Sequence, residues 1–360
     1  MPFNLQKLLR PHIAGIKPYS SARDEYTGTE GVFLDANENA FGTPGASINN
    51  ASASFHRYPD PYQQKLKHRI SEIKQVAPEH IFLGNGSDEA IDLLIRAFCR
   101  PGVDNIVVLP PTYGMYEVSA AINAVALKKA ALTPDYLIDP ESLDAAIDQN
   151  SKLLFFCSPN NPSGNLLQPE LIEHYLKTFE GVVVIDEAYI DFANTRSWTE
   201  KLQQYPNLLV MQTMSKAWGM AALRLGMAYA SREIIAVLNK IKPPYNINAL
   251  TQQQALKVLE HTKAQQEVVQ HILANREQLA NELQALDIVE KVYPSEANFL
   301  LVKMRNAATV FHHLIEEKVI VRDRTKVTLC EACLRITIGT EEENQQLVAK
   351  IKEYSSSVAE

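Results

Sequence analysis

One lysine in the middle of the chain has a setting that suits covalent chemistry. Lys216 follows the apolar run at 208–211, with Ser215 directly before it and Arg224 eight residues after it. A lysine at the end of a buried strand loses solvation, and this loss favours the neutral, nucleophilic amine. A neutral amine can form a Schiff base with a carbonyl compound. The hydroxyl and guanidinium groups nearby indicate that this compound carries a phosphate.

Other reactive side chains follow two more apolar runs of the predicted sheet. Asn161 comes after one run, and Asp186 and Tyr189 come after the next. Ligands bind beyond the carboxyl ends of the strands in an open α/β sheet, so we expect these groups to converge with Lys216. Pyridoxal phosphate (PLP) needs a carboxylate at its ring nitrogen, for which Asp186 is suited, and donors to its ring oxygen, for which Asn161 and Tyr189 are suited. We therefore predict PLP as the cofactor, with Lys216 as its anchor and as general base and acid.

The phosphate and the ring face of PLP need further contacts. Ser87 and Asp88 follow a glycine turn, and we expect Ser87 to N-cap a helix whose N–H groups bind the phosphate together with Ser215 and Arg224. Tyr113 follows another strand and is predicted to stack on the ring. Plain helix capping for Ser87 and Asp88 and an ordinary buried role for Tyr113 remain alternatives at this point.

Short apolar runs separated by helical segments must position these residues. Such runs are typical of a parallel sheet buried on both faces. The strands are predicted at 81–83, 106–109, 153–157, 182–185 and 208–211, and the run at 226–230 could pair antiparallel. The fold class is therefore α/β: a large, doubly wound, mostly parallel sheet domain followed by a smaller α+β domain.

Breaks in the pattern divide the chain into three parts. We expect an N-terminal arm at 1–30 that packs with the small domain, a large domain at 31–247 and a small domain at 248–360. The stretch from Lys242 to Asn246, with two prolines, interrupts the alternation of strands and helices. Asn248 is then expected to cap a long helical stretch to Leu286, broken near His261.

Composition excludes several classes of partner. The chain has 360 residues, a net charge of −7 and no basic block, which argues against nucleic-acid binding. No apolar run approaches the roughly 20 residues that span a bilayer, and no secretory signal is visible. We predict a cytoplasmic protein whose four cysteines are reduced. Cys330 and Cys333 lack the two further ligands that a zinc site needs, so no metal is predicted.

Several motifs together resemble the fold-type I PLP aminotransferases, and within them the histidinol-phosphate aminotransferase family. The motifs are Ile16-Lys17-Pro18-Tyr19, Asp35-Ala36-Asn37-Glu38-Asn39, Arg57-Tyr58-Pro59-Asp60, Asn161-Pro162-Ser163-Gly164, Asp186-Glu187-Ala188-Tyr189, Ser215-Lys216 and Leu334-Arg335-Ile336. The resemblance implies a homodimer in which Tyr58 reaches the cofactor phosphate of the other subunit. It also implies a substrate site to which Asn37 and Tyr58 belong, and in which Tyr19, Arg322 and Arg335 contact the substrate phosphate.

The implied reaction is transamination of L-histidinol phosphate with 2-oxoglutarate. An aromatic amino-acid aminotransferase, a PLP lyase or decarboxylase acting on a phosphorylated amino acid, and a non-catalytic binding module are the alternatives. The presence of Arg335 does not distinguish these functions, because a guanidinium binds a carboxylate as well as a phosphate. Arg322 and Tyr19 favour the phosphate, whereas Arg324 is interpreted as a solvated residue that balances Asp323.

Overall fold

The computed structural model describes residues 3–18, 36, 37, 39 and 55–359. Its larger sheet has the strand order β1-β7-β6-β5-β4-β2-β3. The strands are β1 (Ile81–Asn85), β2 (Asn105–Val108), β3 (Ala126–Lys129), β4 (Ser151–Cys157), β5 (Val182–Asp186), β6 (Leu208–Thr213) and β7 (Leu225–Ala230). Neighbours from β3 to β6 pair parallel, and β7 pairs antiparallel with both β6 and β1. The antiparallel pairing predicted for the run at 226–230 is therefore confirmed.

Helices cover both faces of this sheet. They are α3 (Gln64–Lys74), α4 (Ser87–Phe98), α5 (Met115–Ile122), α6 (Pro140–Ala146), α7 (Pro169–Thr178) and α8 (Arg232–Ile241), after the short α1 (Leu5–Leu8) and α2 (Pro11–Gly15). Because β5, β6 and β7 are buried along their whole length, alternate side chains enter two separate hydrophobic cores. Packing on both faces of the sheet thus fixes the position of its carboxyl edge.

A second sheet follows in the chain, with the antiparallel order β10-β11-β9-β8. Its strands are β8 (Val289–Val292), β9 (Phe299–Met304), β10 (Arg322–Asp323) and β11 (Cys333–Thr337). The accompanying helices are α9 (Ala249–Leu259), α10 (Thr262–Gln284), α11 (Ala307–Glu316) and α12 (Glu341–Ala359). Asn248 caps α9 by accepting a hydrogen bond from the Thr251 N–H, and the helical stretch breaks at His261 as predicted.

Several elements were not predicted from the sequence, among them β3, α6, α8 and β8. Strand β3 contains two lysines and is largely exposed at the edge of its sheet, so it lacks the apolar run that marks the inner strands. The same exposure applies to the middle of β8. A strand at the edge of a sheet pairs with a neighbour on one side only and can be exposed to solvent. Its sequence can therefore lack the continuous apolar residues that identify an inner strand.

The described N-terminal residues pack against the larger sheet's helices. Leu9 and Ile13 belong to the same core as Phe82, and the Arg10 N–H donates to the carbonyl of Ala97, at 3.0 Å. The expectation that the arm packs with the small domain is therefore wrong for residues 3–18. The boundary near residue 248 stays a prediction. None of the helices in the described ranges is both long and apolar enough to cross a membrane.

Candidate active site

A cavity with about 510 Å³ of empty space opens at the carboxyl edge of the larger sheet. It is lined by Gly86, Ser87, Asp88, Tyr113, Cys157, Asn161, Asp186, Ala188, Tyr189, Thr213, Ser215, Lys216 and Arg224. The residues predicted from the sequence to hold PLP within one subunit therefore meet around one space. They come from the ends of β1, β2, β4, β5 and β6 and from the segments that follow them.

Close backbone contacts at two glycines bring the start of α4 next to the lysine segment. Gly226 on β7 lies very close to the turn before α4. A Cβ on Gly226 would lie 2.3 Å from the backbone nitrogen of Ser87. Gly86 has a φ of +71°, and a Cβ on it would lie 2.5 Å from Nη2 of Arg224. Only glycine fits these two positions without moving the neighbours. Gly86, and not Ser87 as predicted, is the N-cap of α4, because that positive φ favours glycine.

The guanidinium of Arg224 lies beside this turn. Its Nη1 is 3.4 Å from Oγ of Ser215, and its Nη2 is 3.5 Å from Oδ2 of Asp88. Asp88 also accepts a hydrogen bond from the hydroxyl of Tyr113, at 3.0 Å. One cation, one carboxylate and two hydroxyl groups thus form a connected cluster beside the free N–H groups that begin α4. Such a cluster can hold a phosphate.

At the end of β5, the carboxylate of Asp186 is buried. Its Oδ2 accepts a hydrogen bond from the hydroxyl of Tyr116, at 2.7 Å, and its Oδ1 accepts one from the Ala188 N–H, at 3.1 Å. Burial raises the pKa of Asp186 to about 6, while the two hydrogen bonds lower it. A cationic partner in the cavity would favour the ionised form. The protonated nitrogen of a pyridine ring is such a partner.

The amide of Asn161 links the cavity to the second sheet. Its Nδ2 donates to the hydroxyl of Tyr189, at 3.4 Å, and its Oδ1 accepts from Nη1 of Arg335, at 2.6 Å. The guanidinium of Arg335 also lies 5.2 Å from the centre of the Phe299 ring. Arg335 is therefore held by an amide and an aromatic face, and it enters the site from β11.

Lys216 extends into the cavity from the segment after β6. Its Nζ lies 5.7 Å from the centre of the Tyr189 ring. Desolvation lowers the pKa of Lys216, and the positive charges of Arg335 and Arg224 lower it further. The neutral amine is thus populated at a lower pH than for an ordinary lysine, and a neutral amine is what attack on a carbonyl requires.

Two of the predicted residues lie elsewhere, and a third is not described. Tyr58 is half exposed, stacks on Tyr245 with the ring centres 4.4 Å apart, and lines a second cavity together with Asn37. Neither residue lines the cavity at Lys216. Tyr19 lies outside the described residues. Arg322 lies on β10, directly opposite Arg335 on β11.

Sequence reasoning missed one contact of the site and misjudged the setting of Arg324. Tyr116 is fully buried, and its pattern is that of an ordinary core residue of α5, so nothing in the sequence marks its bond to Asp186. Arg324 was interpreted as solvated, which is wrong. It is partly buried, and the carboxylate of Asp323 accepts instead from the Thr325 N–H, at 2.8 Å. The two-residue spacing from Arg322 was the available signal, since alternate residues of a strand share one face.

The cavity fits PLP at both of its ends. One end has the glycine turn, Ser215 and Arg224 for a phosphate, and the other has the buried carboxylate of Asp186 for a cationic ring nitrogen. Lys216 lies between them, where an aldehyde on the ring could react with its amine. Four other cavities among the described residues lack this combination of groups.

Comparisons of the sequence and of the structure with known proteins identify relatives among the aminotransferases. The sequence model of the family described as aminotransferase class I and II matches residues 29–351. The histidinol-phosphate aminotransferase of Cytophaga hutchinsonii is 53% identical, over 98% of this chain and 100% of its own length. The crystal structure of the enzyme of that name from Clostridium acetobutylicum has a TM-score of 0.77 and 26% identity, over 84% of this chain and 92% of that one.

A further solved structure shares the fold and was determined with a ligand. It is the histidinol-phosphate aminotransferase of Sinorhizobium meliloti in complex with pyridoxal-5'-phosphate, with a TM-score of 0.77 and 22% identity over 90% of each chain. The match to the family model and the identity with the Cytophaga protein both extend over nearly the whole chain. This chain belongs to the class I and II aminotransferases and, within them, to the histidinol-phosphate aminotransferases.

Proposed function

We propose that this chain transfers the amino group of L-histidinol phosphate to 2-oxoglutarate, with PLP as cofactor, in histidine biosynthesis. The products are imidazole acetol phosphate and glutamate. The observation that carries the proposal is the 2.6 Å contact between Arg335 and Asn161, because it joins an anion-binding arginine to the cofactor cavity. The 53% identity with the Cytophaga enzyme supports the choice of substrate.

The cofactor would be held by residues at both ends of the cavity. When bound, the protonated ring of PLP accepts the electrons that remain when the substrate Cα loses its proton. Asp186 would pair with the ring nitrogen, and Asn161 and Tyr189 would donate to the ring oxygen. The α4 N-terminus, Ser215 and Arg224 would bind the cofactor phosphate, and Tyr113 would stack on the ring.

Lys216 moves the proton of the reaction. Its Nζ would accept the proton from Cα of the substrate in the first half-reaction and return a proton to Cα in the second, and bound PLP would supply the other position for this proton. The lowered pKa of Lys216 matches this task, since a general base must be neutral before it accepts a proton. Arg335 serves both half-reactions, as it can bind the phosphate of the donor and a carboxylate of 2-oxoglutarate.

The position of Tyr58 supports a homodimer. It stands half exposed on Tyr245 and lines a cavity separate from that of Lys216 in its own subunit. A second subunit that packs there would receive the hydroxyl of Tyr58 at its cofactor phosphate. Asn37 lines the same cavity and would join the substrate site across the interface. We place the enzyme in the cytoplasm, in keeping with its buried, unpaired cysteines.

A competition assay tests the substrate. Purified protein loaded with PLP is given L-histidinol phosphate and phenylalanine at equal concentration, with 2-oxoglutarate as acceptor, and both oxo products are measured. We expect glutamate to form with imidazole acetol phosphate as the main co-product. Preference for phenylalanine would identify an aromatic amino-acid aminotransferase. For a PLP decarboxylase, carbon dioxide would be released from a phosphorylated amino acid such as threonine phosphate without consumption of 2-oxoglutarate.

A further inference from the structure

Three arginines share one face of the second sheet. Arg322 on β10 is paired directly with Arg335 on β11, and the Arg324 N–H extends this ladder by donating to the carbonyl of Cys333, at 3.1 Å. Side chains of directly paired residues, and of residues two apart on one strand, project to the same side of a sheet. Since Arg335 contacts Asn161, this is the side that faces the cofactor cavity.

The positive charge on this face is not paired with a carboxylate at salt-bridge distance in the described ranges. Among the described residues, none of the three arginines forms a salt bridge. Burial lowers the pKa of Arg324 to about 10, and the charges of Arg335 and Arg322 contribute to this effect. Like charges placed directly opposite each other destabilise a sheet. Arg322 is exposed to solvent, but Arg324 and Arg335 are partly buried, so bringing their two charges together has a cost that an anionic ligand would offset.

Unused hydrogen-bond donors point to the same ligand. The Nε atoms of Arg324 and Arg335 are buried and have no hydrogen-bond partner in the described part of the chain. For the guanidinium of Arg324, Nη1 reaches only the carbonyl of Asp323, at 3.4 Å. A buried donor without an acceptor is unfavourable, so native structures rarely keep one without a reason. Oxygen atoms of a bound anion would satisfy these donors.

We propose that Arg324 is a third arginine of the substrate's phosphate site, and that it makes this site prefer a phosphate dianion to a single carboxylate. The inference rests on the proposed function and extends it. A phosphate monoester has three terminal oxygens and a charge near −2, enough to engage several guanidinium groups. A carboxylate has two oxygens and one charge, which Arg335 can satisfy alone. Arg324 therefore acts on the phosphorylated donor and its oxo product, and Arg335 acts on both substrates.

Kinetics of Arg324→Gln separate these roles. Glutamine keeps amide donors but removes the charge. In the PLP-loaded enzyme we expect KM for L-histidinol phosphate to rise about 10- to 100-fold, the range for a hydrogen bond to a charged group. KM for 2-oxoglutarate should change less than about 3-fold, because Arg335 is retained. Equal changes in both values, or no change in either, would overturn the inference.

Matched variants exclude a merely structural effect. Arg324→Lys keeps the charge but loses the planar fork, so its KM for the donor should lie between those of the wild type and Arg324→Gln. Arg196→Gln removes an arginine whose side chain is 86% exposed, and it should leave both KM values unchanged. Thermal unfolding of each variant checks that the fold is retained. A donor KM for Arg324→Lys equal to that of Arg324→Gln would contradict a role of the charge.

Binding of inorganic phosphate tests Arg324 independently of turnover. Calorimetric titration of the PLP-loaded protein reports only sites outside the cofactor's own phosphate pocket. We expect the wild type to bind phosphate more tightly than acetate, and Arg324→Gln to lose most of this preference. If the wild type does not act on histidinol phosphate but still shows the preference, the proposed function fails and the role of Arg324 stands. Equal phosphate binding by the wild type and Arg324→Gln would refute that role.

Discussion

The two charged regions that face the cavity differ in how their charges are balanced. Around the cofactor cavity, Arg224 lies beside the carboxylate of Asp88 at the start of α4, and Asp186 at the end of β5 accepts two hydrogen bonds. On the face formed by β10 and β11, Arg322, Arg324 and Arg335 form no salt bridge within the described ranges. The first region, which we call the network, balances its charged groups with an ion pair and hydrogen bonds, and the second is a concentration of positive charge.

This difference fits the proposed roles of the two regions, one for the cofactor and one for the substrate. A cofactor that stays bound can be held by a preformed set of donors and acceptors on rigid strand ends. A substrate site must bind one anion, release it and then accept another, so its charge is balanced only while a ligand is present. From the network we expect tight, pH-dependent binding of the cofactor. From the face that carries Arg322, Arg324 and Arg335 we expect selectivity among anions.

Removal of the lysine amine should have the largest effect. Lys216→Ala deletes both the anchor of the cofactor and the proton carrier, so we expect turnover to fall at least about 10⁴-fold. The visible absorbance of the lysine-bound cofactor should also disappear, while the fold is retained. Lys129→Ala, at an exposed site paired with Glu117, is the matched control. Sustained multiple turnover by Lys216→Ala would disprove the assigned role.

Truncation of the arginine that joins the two regions should have the next largest effect. Arg335→Ala removes the donor to Asn161 and one of the cations, so we expect KM to rise about 10- to 100-fold for both substrates. Steady-state kinetics with each substrate varied in turn measure this effect. Arg335→Lys should recover only part of the loss, since lysine lacks the fork. A change confined to one substrate would show that the two half-reactions do not share this residue.

A smaller, pH-dependent effect is expected within the network. Tyr116→Phe removes the donor to Asp186 but keeps the stacking of the ring on Phe155, with ring centres 4.6 Å apart. The tyrosine bond lowers the pKa of Asp186, so without it that pKa rises above about 6. As pH falls, the variant therefore loses the ionised carboxylate earlier than the wild type.

Fluorescence titration with PLP at pH 6 and pH 8 measures this effect. We expect up to about tenfold weaker binding at pH 6, which corresponds to a pKa change of about one unit, and a smaller difference at pH 8. Tyr229→Phe is the control, because the Tyr229 hydroxyl is buried and has no hydrogen-bond partner among the described residues. A larger defect at pH 8 than at pH 6 would contradict the proposed link to Asp186.

Sequence patterns identified the inner part of the fold and most of the cavity. The fully apolar runs of β4, β5 and β6 are buried on both faces, and the residues directly after them are therefore at the ligand-binding edge. Exposed edge strands such as β3 escaped detection because only inner strands require continuous apolar residues. Tyr116 escaped because a buried tyrosine with a partner has the same sequence pattern as one without.

Around Lys216, the amino-acid sequence alone determined which reactive side chains are present and which strand each of them follows. It also determined the glycines at 86 and 226, whose lack of a side chain permits the close approach of α4. Only the tertiary structure decided which groups meet: Tyr116 with Asp186, Asn161 with Arg335, and Arg324 with the other two arginines. Strand pairing and domain contacts join residues that are far apart in the chain, and local sequence patterns do not encode those distances.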